Sequence, residues 1–438
     1  MKAAFHNLGC KVNAYETQSM EQMFAAAGYE IVDFEKEPAD IYIINTCSVT
    51  NMADRKSRQM LHRARKQNPD AVVVAAGCYV QASADEILKD DAVDIIVGNN
   101  KKADIVAIVE AYLKEKSKSR YVIDIAKVSE YENLSVDTVY EQTRAYIKVQ
   151  DGCSQFCTYC IIPYTRGRIR SRKQEEVLDE VRRLAANGYR EVVLTGIHLS
   201  SYGRDFQTEQ EYTLIELIEA VNDVSGIERI RLGSLEPGIV TEEFAKRLAA
   251  LEKICPHFHL SLQSGCDATL KRMNRRYTTK EYRQGCDILR KQFEHPAITT
   301  DVIVGFPGET EEEFCTTKEF LEQIHFYEMH VFKYSRRKGT AADQMAGQVS
   351  DSVKVKRSDE LLLLDKKMSR EYRAQLIETE TSVLFEEKIL INGEEYFVGH
   401  TKTYVKVAVK SENDLRNYIQ NVKIRQCLTD EIMLGQIS

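Results

Sequence analysis

Short apolar runs separated by stretches of helical periodicity recur through most of the chain, and that alternation commits it to parallel α/β architecture. KAAFHNL, EIVDF, IYIIN, AVVVAA and DIIVG come first, with helical spacing between them, as from Tyr15 to Ala27. After a polar, irregular stretch beginning at KEKSKSR, a second series starts at Arg144: RAYIKVQ, EVVLTG, RIRLGS, HFHLSLQ, AITTDVIVG and YEMHVFKYS. Helical patterns such as Gln174 to Asn187, Thr241 to Glu252 and Thr279 to Phe293 lie between them. Six β/α units predict an incomplete, open relative of the eight-fold barrel. Beyond an amphipathic helix expected around Lys354 to Glu378, the period changes to alternation in SVLFEEKIL, EYFVGHT, YVKVAVK, NYIQNVKIR and EIMLGQI, with Asn392-Gly393 as a hairpin signal. That predicts a small antiparallel barrel of the kind RNA-binding modules use.

At 438 residues the chain is long enough for about three domains. The expected boundaries are 1–115, a linker over 116–142, the barrel over 143–370 and the small barrel over 371–438. No apolar run reaches the roughly 20 residues of a membrane helix. The N-terminal stretch turns polar by Asn13, unlike a cleavable signal peptide, so a cytoplasmic location is expected. Thiols are kept reduced there, and eleven cysteines point to metal or redox chemistry rather than disulfides. The net charge of −7 argues against whole-surface attraction to nucleic acid but leaves local basic patches free to bind it.

Cys153, Cys157 and Cys160 stand in CSQFCTYC, directly after the first barrel strand. Three thiolates on one loop suit a four-iron four-sulfur cluster with one iron left open for substrate, and the carboxyl ends of barrel strands are where active sites form. The alternative is structural zinc, which normally takes a fourth Cys or His; none lies nearby in sequence. Cys10, Cys47 and Cys78 each follow an N-terminal strand, so a parallel sheet would bring them to one edge. They can hold a second cluster, or be small buried core residues. Cys255, Cys266, Cys286, Cys315 and Cys427 match no ligand spacing and read as structural.

The C-x3-C-x2-C spacing on the first loop of a six-unit barrel resembles the radical S-adenosylmethionine superfamily. FHNLGCKVN, NTCSVT, GCYVQ, YTRGRIRSR and TDVIVGFPGET further resemble its methylthiotransferase family over essentially the whole chain. The resemblance implies a multidomain α/β fold: a flavodoxin-like N-terminal domain, a radical-S-adenosylmethionine barrel and a C-terminal module similar to TRAM. It also implies Cys10, Cys47 and Cys78 as ligands of an auxiliary cluster, and so two 4Fe-4S clusters, with S-adenosylmethionine both as methyl donor and as radical source. Tyr159 would touch the adenine of that cofactor. The partners implied are the tRNA anticodon stem-loop and an electron donor of flavodoxin or ferredoxin type.

GCKVNAYET looks most like the branch acting on N6-threonylcarbamoyladenosine beside the anticodon, converted to its 2-methylthio derivative. Relatives act on N6-isopentenyladenosine or on a ribosomal-protein aspartate. A non-enzymatic iron-sulfur protein that binds RNA or carries electrons is the alternative of a different class.

Strand-end polar groups, Ser234, Glu236, Gln263 and Asp301 with Gly305, are expected to line the cofactor pocket, although such groups also serve turns and caps. Arg166, Arg168, Arg170, Arg172 and Lys173 follow the cluster loop, and Arg275 and Arg276 follow the fourth strand; these are expected to contact RNA phosphates. Arg55, Lys56, Arg58, Arg63, Arg65 and Lys66 form a third group that equally suits a solvated helix face. In the last module, Tyr396, Phe397, His400 and Tyr404 are candidates for stacking bases or for plain barrel packing.

Overall fold

A computed structural model describes residues 1–137, 143–206 and 213–438. The first domain is a six-stranded, wholly parallel sheet in the order Glu30–Val32, Lys2–Asn7, Ile41–Thr46, Val72–Gly77, Ile95–Val97, Ser119–Tyr121. Its central strands are buried along their length, as an apolar run covered on both faces requires. Helices Lys11–Ala26 and Ile105–Glu115 cover one face through Met20, Phe24, Ile105 and Val109. Helices Asn51–Gln67 and Cys78–Ile87 cover the other through Met60, Leu61, Ala64 and Val80. Strand order reverses between Lys2–Asn7 and Ile41–Thr46, which opens the crevice where α/β sheets bind ligands.

The stretch read as a linker does more than connect. Ser119–Tyr121 is the sheet's sixth strand, and Leu134 and Val136 are buried in the barrel's core. Its last residues, 138–142, lie outside those described.

The second domain has the six expected parallel strands: Arg144–Asp151, Glu191–Gly196, Arg229–Leu232, His257–His259, Ala297–Val304 and Glu328–Lys333. They form two sheets joined by the bridges Ile230 to Ile254 and Leu235 to Leu260. The barrel does not close. The free edge of Arg144–Asp151 pairs with the short antiparallel strand Arg170–Ser171 instead of Glu328–Lys333. The helix Asp351–Ala374 lies along Glu328–Lys333, where Asp365 accepts the Met329 N–H at 2.6 Å.

The C-terminal strands Glu380–Ile391, Glu394–Thr401, Lys406–Val409, Ile419–Cys427 and Ile432–Ile437 close into a barrel. Asn392 and Gly393 both take left-handed φ, 52° and 85°, as a two-residue hairpin matched to strand twist demands. One pairing departs from the antiparallel expectation. Lys406–Val409 runs parallel to Ile432–Ile437, because Ile419–Cys427 returns on the far side of the latter strand.

This small barrel plugs the amino-terminal mouth of the large one. Tyr404 lies between the guanidinium groups of Arg144 and Arg231, 4.9 and 4.6 Å from its ring centroid, and stacks on His400 at 4.5 Å. Arg229 donates to the His400 and Ser382 carbonyls, both at 2.8 Å. Tyr396 and Phe397 are buried as well. Tyr396, Phe397 and His400 are thus buried and Tyr404 is half-buried between two arginines, so these rings pack the module and its joint rather than form an exposed base-stacking platform.

Candidate active site

Cys10 caps the start of helix Lys11–Ala26, Cys78 begins helix Cys78–Ile87, and Cys47 stands just before helix Asn51–Gln67. All three thus lie near positive helix ends, where a thiolate is favoured. Gly9 shows how tightly the first two loops meet: at φ 105°, a Cβ there would sit 2.8 Å from the Cys47 Sγ. Asn13 cinches the same loops by donating from Nδ2 to the Leu8 carbonyl at 2.7 Å and the Thr46 carbonyl at 3.0 Å. Asn99 holds the third, with Nδ2 3.5 Å from the Cys78 Sγ and 2.8 Å from the Thr165 carbonyl of the barrel domain.

The barrel triad sits on a loop that leaves strand Arg144–Asp151 at Gly152, whose φ of 71° and whose contact with the Arg168 carbonyl exclude a side chain. Thr158 fastens the loop through its N–H to the Met273 carbonyl and its Oγ1 to the Arg272 carbonyl. Arg275 Nη1 lies 3.2 Å from the Cys157 Sγ, and its Nη2 pairs with Glu236 at 2.8 Å. Glu236 also bonds His198 Nε2, and His198 donates its backbone N–H to Gln150. Burial pushes Glu236 up, but His198 and Arg275 outweigh it and hold it below the ordinary carboxylate value.

The two domains meet on a buried network of charges. Glu16 touches Lys102, Lys148 and Arg166, while Asp151 takes Lys148, Arg166 and Arg170. Arg166 Nη2 reaches Asn13 Oδ1 at 2.6 Å. Burial alone would raise Glu16; Arg166, Lys102 and Lys148 hold it well below the usual value. Beside this network opens a cleft of about 550 Å³, bordered by Asp54, Arg58, Tyr79, Tyr164 and Arg337. Arg337 spans it, donating to Asp54 at 2.6 Å and to Ser48 at 2.7 Å.

Several site expectations need correction. Arg166, Arg170 and Arg172 are fully buried, the last paired with Glu180, so none can reach a phosphate. Arg275 is committed to Cys157 and Glu236. In a run of alternating arginines, desolvation is tolerable only where carboxylates await, and here they come from the other domain and from a neighbouring helix. Arg168, Lys173 and Arg276 remain exposed, and Arg168 lies 4.7 Å over the Phe156 ring. Gln263 and Asp301 face the barrel interior, joined through the Gln263 N–H to the Asp301 carbonyl at 2.8 Å. Ser234 is exposed, and Tyr159 packs with Phe306 and Met273. Cys255, Cys266 and Cys286 are buried, whereas Cys315 and Cys427 lie on the surface. Sequence reading missed Asn13, Glu16, Asn99, His198 and Arg337; Asn13 and Glu16 had a legible signal, two polar residues one helical turn apart just after Cys10.

An open six-unit barrel with C-x3-C-x2-C at the carboxyl end of its first strand defines a radical S-adenosylmethionine enzyme. The Radical SAM superfamily matches residues 147–321, and the "Uncharacterized protein family UPF0004" matches 2–98. The chain is 44% identical over 96% of its length to threonylcarbamoyladenosine tRNA methylthiotransferase MtaB of Bacillus subtilis, covering 93% of that protein. It is 42% identical to the MtaB of Aquifex aeolicus, over 90% of this chain and 97% of the other. To tRNA-2-methylthio-N(6)-dimethylallyladenosine synthase of Finegoldia magna it is 34% identical, over 95% and 90%. In fold it is similar to the radical S-adenosylmethionine methyltransferase TsrM from Kitasatospora setae, with a TM-score of 0.59 and 16% identity over 78% of this chain and 76% of that one. The chain belongs to the radical S-adenosylmethionine methylthiotransferase family.

A 4Fe-4S cluster and S-adenosylmethionine are the superfamily's cofactors, and the residues present fit them. All six cysteines are free thiols. Three thiols on one loop can hold three irons of such a cluster and leave the fourth open to the cofactor. Burial pushes Cys47 and Cys153 up to about 11 and Cys160 to about 12, so binding iron must expel their protons.

Proposed function

We propose that this enzyme places a methylthio group on carbon 2 of N6-threonylcarbamoyladenosine beside the tRNA anticodon. The observation carrying the reading is the near full-length identity to relatives named for that reaction, on a chain whose two cysteine triads stand on either side of one charged interface. In this reading Cys153, Cys157 and Cys160 hold the cluster that binds S-adenosylmethionine, and Cys10, Cys47 and Cys78 hold a second, auxiliary 4Fe-4S cluster. Bound there, the two cofactors supply a hydrogen-abstracting radical and a methylated sulfur to the substrate carbon.

The chain's own residues position these groups. Arg275 donates to the Cys157 sulfur and anchors Glu236 at the pocket wall, which with Gln263 lines the cofactor side, while Asp301 faces the lumen below them. Arg166 holds both loops in one frame, so a base in the interface meets both triads at once. The cations Lys102, Lys148, Arg166 and Arg170 exceed the buried carboxylates Glu16 and Asp151, a balance that favours anionic thiolate ligands nearby. Arg168, Lys173 and Arg276 are exposed cations at the cluster loop, and with Arg55 and Lys56 they are the phosphate contacts proposed for the anticodon stem-loop. The C-terminal barrel acts as a TRAM-like RNA module through its outer face. A flavodoxin or ferredoxin supplies electrons, and the enzyme works in the cytoplasm; no helix among the described residues is long and apolar enough to cross a membrane.

The test is nucleoside mass spectrometry after incubating the anaerobically reconstituted enzyme with reductant, S-adenosylmethionine and tRNA bearing threonylcarbamoyladenosine. A 2-methylthio product is expected. Product only from isopentenyladenosine tRNA would move the enzyme to the branch to which its Finegoldia relative belongs, at 34% identity.

A further inference from the structure

Phe258, Leu260, Ile298, Val302 and Met329 point outward into the helix-covered core. Strand alternation therefore turns His259, Asp301 and His330 into the barrel lumen. These three present ligand atoms within 4.8 Å of one another. The layer lies one step below the cysteine rim: two residues on from His259, about 7 Å along the chain, the Ser261 carbonyl faces Arg275 Nη2 at 3.4 Å, and Arg275 Nη1 reaches the Cys157 Sγ. Below it the lumen is floored by Tyr404 between Arg144 and Arg231, with Arg229 alongside and Glu191 facing these cations.

The polar groups of this layer are only partly spent on one another. His259 Nδ1 lies 3.0 Å from Thr299 Oγ1, which fixes the ring. Its Nε2 is buried and 3.3 Å from Asp301 Oδ2, yet it is out of line and has no hydrogen-bond partner. His330, which is exposed and borders a cleft of about 430 Å³ shared with His400 and Tyr404, stacks on His259 with ring centroids 5.8 Å apart, and neither of its ring nitrogens is hydrogen-bonded among the described residues. Of these groups His259 Nε2 is the one buried without a partner, and a buried donor left unmade is costly, so a guest that reaches it completes the layer. An apolar guest would leave His259 Nε2 without a partner. A guest bearing a carboxylate beside a hydroxyl or amide engages His259, Asp301 and His330 together, and the three arginines of the floor outnumber Glu191 and Glu386, which pair with them.

We infer that His259, Asp301 and His330 form the subsite that reads the N6 substituent of the target adenosine. The two imidazoles donate to its carboxylate, and Asp301 accepts from its hydroxyl or urea N–H. This rests on the threonylcarbamoyladenosine reading above and adds the residues that separate that substituent from isopentenyl.

The experiment compares holoenzymes carrying His330→Leu, His330→Asn and His259→Gln on anticodon stem-loops bearing threonylcarbamoyladenosine or isopentenyladenosine, with cluster content checked by absorbance. For the first substrate, kcat/KM falls about 10- to 100-fold in His330→Leu, mostly through KM. His330→Asn, which keeps a donor, recovers much of it, and His259→Gln moves in the same direction as His330→Leu. Unchanged KM in both His330→Leu and His259→Gln, with wild-type turnover, would overturn the subsite while leaving the substrate reading intact. Tight retention of zinc or cobalt that His330→Leu abolishes would assign the three residues to a metal instead. Failure of the unaltered enzyme on threonylcarbamoyladenosine would remove the substrate reading, and this inference with it.

Discussion

Arg166 Nη2 donates to Asn13 Oδ1 at 2.6 Å, and this contact ties the barrel's cluster segment to the residue that cinches the Cys10 and Cys47 loops. The same guanidinium spans Glu16 of the first domain and Asp151 of the second. Replacing it with Met leaves two buried carboxylates short of a cation. Arg166→Met should lower unfolding free energy by roughly 3–5 kcal/mol, read by chemical denaturation of the unreconstituted chain, whereas Arg168→Met, on the surface, should change it little.

Arg275 tests whether a hydrogen bond to the Cys157 sulfur matters. Arg275→Met removes the donor to Cys157 and leaves Glu236 with His198 alone. Activity should fall about 10- to 100-fold, with iron content near that of the unaltered enzyme and a changed redox midpoint in an electron paramagnetic resonance titration. An unchanged midpoint would mean that the contact does not tune the cluster.

Cysteine replacements separate the two triads. Cys78→Ala should cost about four irons per chain and all methylthio product, while S-adenosylmethionine cleavage, read as 5′-deoxyadenosine, persists. Cys157→Ala should abolish both. Full iron content in Cys78→Ala would mean that this thiol is not a ligand.

Tyr404 bears on the joint between the barrels. Tyr404→Ala removes a ring held by Arg144, Arg231, His400 and His257, and should destabilise the docked C-terminal barrel by about 3 kcal/mol, seen as faster proteolysis near residues 375–380. Tyr404→Phe, losing only the hydroxyl that accepts from Arg144 at 2.7 Å, should cost about 1 kcal/mol.

Acid should loosen this joint. Burial would raise Glu191, but Arg231 and Arg144 bring it down to about 2, against an ordinary value of 4.5. A carboxylate depressed by folding contributes stability that is complete above the unfolded value and is lost as pH falls through the folded one, here from about 4.5 to about 2. The contribution is on the order of 3 kcal/mol, so Glu191→Gln should flatten the loss of unfolding free energy measured across that window.

Sequence alone determined the elements and which cysteines stand at their ends. Apolar runs of strand length have few ways to be buried, and a cysteine just after such a run must emerge at the sheet's carboxyl edge, so both triads, the six-unit barrel and the C-terminal strands were legible. Only the tertiary structure decided what the charged residues do. Arg166 and Arg168 look alike in YTRGRIRSR, yet one is sealed against Glu16 from a distant helix and the other lies on the surface. His259, Asp301 and His330 carry no shared motif and converge because three strands turn the same face inward. Periodicity is a local property of the chain, whereas a charge's partner is chosen by which domains pack together, and that information is spread over residues hundreds of positions apart.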